Sequence, residues 1–148
     1  MVEIPKKPIP PESIIEITER PISPETIVNR AKTQESGCVV TYVGLIRDHS
    51  RGKQVISVEY SDSDGKAANR LREIADDTKQ KWRLGNIAIC HRIGKLSVGD
   101  INLVIAVPAA HRQEGFLACQ YAIDQFKQKI PTHKKETYQD GSTWIEGK

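Results

Sequence analysis

Apolar positions first become regular at Ile14 to Ile17, a short predicted strand, and then take helical spacing after Ser23-Pro24. Ser23 suits an N-cap because its hydroxyl accepts a free amide hydrogen of the first turn. Pro24 suits the first helical position because it has no amide hydrogen to leave unpaired. Gly37 is the expected stop. The run from Cys38 to Ile46 is apolar and β-branched and predicts a strand. A second strand is predicted from Gln54 to Tyr60, where Ile56, Val58 and Tyr60 alternate with Ser57 and Glu59. Arg47 to Lys53 then forms a polar connection between them.

Asp64 is the expected cap of a long helix in which Ala67, Leu71, Ile74, Ala75, Thr78 and Trp82 make one apolar stripe, ended by Gly85. Strands follow from Asn86 to Ile93 and from Ile101 to Val107, and Val98-Gly99-Asp100 suits a turn between them in a simple meander. A third helix is predicted from His111 to Ile130, its buried face drawn by Phe116, Cys119, Ile123, Phe126 and Ile130. Pro131 disfavours helical geometry in the residue before it. Lys134 to Ile145, centred on Asp140-Gly141, reads as a hairpin. Strands and helices mix without βαβ repetition, so the expected class is α+β.

Composition narrows the function. With 148 residues the chain has the size of one domain, expected over 14–148, preceded over 1–13 by an extended arm carrying Pro5, Pro8, Pro10 and Pro11. A net charge of +3 is too small to mark a nucleic-acid binder unless the positive residues focus on one surface. No stretch is apolar for the ~20 residues of a membrane span, and no secretory signal opens the chain, so the expected address is the cytoplasm. Cys38, Cys90 and Cys119 are far apart in apolar surroundings and read as reduced core thiols. The four histidines lack metal-site spacing, and phosphate-loop, nucleophile-elbow and metalloprotease motifs are absent. No metal is expected.

Three basic groups remain. Arg47, His49, Arg51 and Lys53 crowd one connection, which is either a solvated loop or an anion clamp. His111 and Arg112 stand where a strand gives way to a helix, whose free N–H groups and dipole favour an anion. In the third helix Lys127 lies four residues after Ile123 and three before Ile130, beside the apolar face, whereas Lys129 points about 200° away. A lysine so placed ordinarily snorkels to water; enclosed, it would suit proton transfer or the holding of an anion. Lys134 and Lys135 follow the Pro131 break and can fold back towards that end of the helix.

These residues fall within a longer pattern. Val-Thr-Tyr-Val-Gly-Leu-Ile-Arg-Asp-His at 40–49, Val-Glu-Tyr at 58–60, His-Arg-Ile-Gly-Lys-Leu-Ser-Val-Gly-Asp at 91–100, Ala-His-Arg at 110–112, Ala-Ile-Asp at 122–124 and Pro-Thr-His-Lys-Lys-Glu at 131–136, followed by Trp144, resemble the large subunit of molybdopterin synthase. The resemblance runs from about Gly37 to Glu146. It implies an α/β hammerhead fold with a mixed, largely antiparallel sheet, and a homodimer within a heterotetramer. It also implies a small ubiquitin-like sulfur-carrier subunit whose C-terminal thiocarboxylate supplies sulfur to cyclic pyranopterin monophosphate, with no permanently bound cofactor. By the same likeness Lys127 and Lys134 are the active-site lysines, His111 and Arg112 an anion-binding pair, Leu45, Ile46 and Arg47 a substrate-contacting loop, and Lys135 and Glu136 the segment beside Lys134. The chain departs from the pattern at Ser61 to Gly65, which is small and polar, and at Thr132-His133, where the family is usually bulkier.

Two other functions fit the basic groups. A non-catalytic module would dock a ubiquitin-like tail and ignore the pterin. An RNA-binding domain would need stacking platforms, and most of the few aromatics fall on apolar stripes.

Overall fold

A computed structural model describes residues 13–147. The Pro-rich arm, apart from Ser13, lies outside them. The elements are β1 (Ile14–Thr18), α1 (Pro24–Ala31), β2 (Cys38–Leu45), β3 (His49–Ser50), β4 (Lys53–Ser61), α2 (Ala67–Lys81), β5 (Ala88–Arg92), β6 (Gly94–Ser97), β7 (Ile101–Ala109), α3 (Arg112–Lys129), β8 (His133–Tyr138) and β9 (Thr143–Gly147). The α+β class and the C-terminal hairpin are as expected.

Two sheets divide the strands. The first has the order β1-β5-β7-β2, with β1 parallel to β5 and the other pairs antiparallel. Alternation along its central strands feeds two cores. Ile87, Ile89, Leu103, Ile105 and Val107 pack with Leu71 and Ile74 of α2 and with Ala118, Cys119 and Ala122 of α3. Ala88, Cys90, Val104 and Ala106 face Ile27 and Ala31 of α1 on the other side. The second sheet runs β3-β4-β8-β9, with β6 also paired to β4, and encloses a third core of Ile46, Val55, Val58, Tyr60, Leu96 and Tyr138.

Several local expectations are corrected. The first helix has Ser23 as its N-cap, with Thr26 N–H donating to Ser23 Oγ at 3.3 Å, but it ends at Ala31, well before Gly37. The second starts without a side-chain bond from its N-cap residue, Lys66; Asp62 accepts from Ala67 N–H and Asp64 from Lys66 N–H, each at 3.0 Å. The small, acidic departure at 61–65 therefore serves this helix start. The segment joining β5 to β7 is not a plain turn, because β6 crosses to the second sheet before β7 returns. In α3, Phe116 is 61% exposed. The buried stripe uses Gly115, Ala118, Cys119 and Ala122 instead, so this helix lies close on the sheet. All three cysteines are free, Cys90 and Cys119 buried and Cys38 partly so. Among the described residues no helix is long and apolar enough to cross a membrane.

Candidate active site

A cavity of about 510 Å³ opens where the two sheets and the C-terminal end of α3 meet. Chain segments far apart in sequence wall it: Tyr42, Gly44 to Arg47, His49 and Ser50, Tyr60, Asn102, Phe126 and Lys127, Lys134 and Glu136, and Glu146. The bulge between β2 and β7 lies at its edge, where Gly44 pairs with Leu103 and Leu45 with Ile101, leaving Asn102 as the extra residue. Asn102 Nδ2 donates to Tyr60 Oη at 3.1 Å. A Cβ at residue 44 would stand 2.8 Å from Asn102 Oδ1, so a larger residue there would have to displace this amide. Burial pushes the Tyr60 phenol up to about 12, so it remains a neutral hydroxyl at physiological pH.

The cations of the site divide by what already holds them. Lys127 and Arg47 are exposed at the cavity, and neither has an ion-pair partner among the described residues. Lys129 reaches the α2 carboxylates of Glu73 and Asp77, at 3.9 and 3.7 Å, which confirms the angular separation of the two helix lysines. The enclosed position considered for Lys127 is not found; its head is open to the cavity mouth. Lys134 lies 3.5 Å from Glu136 and 3.8 Å from Glu146. Glu136 is buried. Its Oε1 accepts from Ser50 Oγ at 3.3 Å, and its Oε2 has no hydrogen-bond partner among the described residues.

The basic connection proves to be a second hairpin, β3–β4, turned at Arg51 and Gly52 with φ of 55° and 74°. Its charges have different uses. Arg51 stacks over Trp144 at 3.5 Å and lies 3.9 Å from Glu146, while Lys53 pairs with Asp140 at 3.0 Å. Both fasten this hairpin to β8–β9. His49 bonds to Asp48 at 2.7 Å, and Arg47 alone of the three fixed charges is left for a ligand.

Of the residues expected to form the site, Leu45, Ile46, Arg47, Lys127, Lys134 and Glu136 line the cavity. Lys135 does not: successive strand side chains alternate, so Lys135 points to the opposite face of β8 from Lys134 and Glu136. His111 and Arg112 are exposed at the far end of α3, and at about 1.5 Å rise per residue Arg112 is roughly 22 Å along the axis from Lys127. One chain does not bring them together. Sequence reasoning passed over Glu146, although its partner was legible. Lys134 and Glu146 stand equally far from Asp140, so an antiparallel hairpin centred there pairs them.

The fold is that of an α+β enzyme subunit, with Arg47, Lys127 and Lys134 gathered at one cavity. The chain belongs to the MoaE protein family, whose model matches residues 17–129, and this family supplies the catalytic subunits of molybdopterin synthase in molybdenum-cofactor biosynthesis. A Bacillus subtilis protein named molybdopterin synthase catalytic subunit is 38% identical over 143 residues, covering 97% of this chain and 83% of that protein. The crystal structure of molybdopterin synthase from Staphylococcus aureus superposes with a TM-score of 0.82 at 32% identity, covering 90% of this chain and 97% of that one. A complex of subunits 1 and 2 of molybdopterin-converting factor from Helicobacter pylori has a chain of like fold, with a TM-score of 0.69 at 12% identity over 86% of this chain and 87% of that one.

Proposed function

We propose that this chain moves sulfur from the thiocarboxylated C-terminus of a small ubiquitin-like subunit to cyclic pyranopterin monophosphate, giving the dithiolene of molybdopterin. The observation that carries this reading is the meeting of Arg47, Lys127 and Lys134 at one cavity, two of them without a carboxylate partner among the described residues. Both reactants are anions, and three cations that converge on one concave site favour anions and developing negative charge there. The volume lies within the range of about 300–1,000 Å³ usual for small-molecule sites.

In this mechanism the thiocarboxylate sulfur is the nucleophile and bonds to a side-chain carbon of the pterin as a carbon–oxygen bond at that carbon breaks, the oxygen leaving with the opened cyclic phosphate in one round and as water in the other. Water then splits the acyl–sulfur bond, which leaves a carboxylate on the carrier and the sulfur on the pterin; a second round adds the second sulfur. Lys127 and Lys134 steer the sulfur, move protons and stabilise the oxyanions. Glu136 holds the Lys134 ammonium at the cavity wall, and Leu45 and Ile46 provide apolar contact beside Arg47. Sulfur arrives on the carrier, so no resident cofactor is required.

The Helicobacter pylori complex supports a small-subunit partner. The assembly proposed is a homodimer of large subunits within a heterotetramer. His111 and Arg112 then serve the anion site of a second copy, because the length of α3 keeps them from their own. Phe116 and Leu117, exposed near them on α3, offer apolar surface for that contact.

The test is to mix purified protein, thiocarboxylated small subunit and the phosphorylated pterin, and to look for dithiolene by mass spectrometry. Lys127→Ala and Lys134→Ala are each expected to slow conversion by on the order of 100-fold or more with the fold intact. Conversion at the parent rate by both variants would remove the lysine assignment.

A further inference from the structure

His91 is fully buried in β5 and does not line the cavity, yet it touches four residues that do. Its Nδ1 lies 2.8 Å from the carbonyl oxygen of Asn102, and its Nε2 lies 3.0 Å from Thr132 Oγ1. Its ring meets Tyr60 edge-on at 4.8 Å between centroids and Phe126 at 5.2 Å. A carbonyl can only accept, so Nδ1 carries the hydrogen. In the neutral ring Nε2 is then a bare acceptor, and the Thr132 hydroxyl must donate to it.

We propose that His91 is a positioning residue: through Thr132 and Phe126 it fixes the short linker that sets Lys127 and Lys134 relative to each other. The linker is Ile130-Pro131-Thr132, between the last turn of α3 and β8. Ile130 ends the helix in the left-handed region, with φ of 44°, which is unfavourable for a β-branched residue and persists only where neighbours hold it. Those neighbours are identifiable. Arg70 Nη1 donates to the Pro131 carbonyl at 3.0 Å. Gly147 lies so close that a Cβ there would stand 2.3 Å from the Thr132 carbonyl oxygen. His91 holds the linker from beneath, gripping Thr132 two residues before Lys134 and Phe126 one residue before Lys127. A shift of the linker would move the two ammonium groups relative to each other, and small errors in such geometry carry large losses in rate.

This inference rests on the proposed roles of Lys127 and Lys134, and its test separates the two. Thr132→Val removes the hydroxyl at nearly constant shape, and Thr132→Ser keeps it. In conversion assays Thr132→Val is expected to lower kcat tenfold or more with KM changed by less than threefold, while Thr132→Ser stays within twofold of the parent. Parent-like kcat in Thr132→Val, or equal loss in both variants, overturns the proposal. A readout free of turnover is the imidazole ¹⁵N spectrum of the full chain. It should show a protonated Nδ1 and a bare Nε2 whose resonance moves in Thr132→Val and returns in Thr132→Ser. An Nε2 resonance indifferent to Thr132→Val also overturns it. If the ¹⁵N result holds while Lys127→Ala and Lys134→Ala convert at the parent rate, the proposed function fails and the hydrogen bond stands.

Discussion

A buried imidazole is tolerated only while uncharged, and burial pushes His91 down to about 4, against the smaller opposing effect of its bond to the Asn102 carbonyl. An unfolded chain takes up this proton near pH 6.5, whereas the folded one refuses it until about pH 4. The stability that neutral His91 permits is therefore complete above pH 6.5 and is lost as pH falls towards 4, by about 3 kcal/mol in all. Urea midpoints measured from pH 7 to 4 should show this loss, and His91→Gln, though less stable at neutral pH, should have a flatter profile across the same interval. Asp64 and Asp140, held at about 2 chiefly by hydrogen bonds from Arg70 and Ser142, titrate below that window. Residue chemistry was unevenly legible in the sequence. Helical geometry singled out Lys127, because angle around an axis follows from spacing alone. The contact of His91 with Thr132 was not legible, because it joins β5 to a linker that only the folded chain brings near.

Among the elements, α3 shows why an apolar pattern can mislead. Counting large side chains put Phe116 inwards, but close approach to a sheet is made by small ones. A Cβ on Gly115 would stand 2.8 Å from Val40 Cγ2 and 3.3 Å from the Ala109 Cβ. Two effects then compete in Gly115→Ala: better helix propensity gains about 1 kcal/mol, and overpacking costs about 1–3 kcal/mol. Because Val40 is a short, stiff side chain, overpacking should win. Chemical denaturation should show net destabilisation of about 1 kcal/mol, and a stabilised variant would mean that the helix is free to lift. The long helices and strands were readable because each carries its own period. The four-residue β6 was missed, since so short a strand has little pattern and its pairing to β4 is decided by the second sheet.

For the whole molecule the decisive distance is the length of α3. It separates Arg112 from the cavity of its own chain, so the proposed anion site requires two copies. Mixed dimers of Lys127→Ala with Arg112→Ala should therefore regain activity that neither variant has alone, since one of their two cavities is intact. Activity that does not rise on subunit exchange would confine each site to one chain. The cavity also has a history during synthesis. Its walls span Tyr42 to Glu146, and at ordinary elongation rates the ribosome needs on the order of ten seconds to pass from one to the other. During that interval the pairings of β8 with β4 and with β9 cannot form, so the cavity is completed only after β9 has emerged.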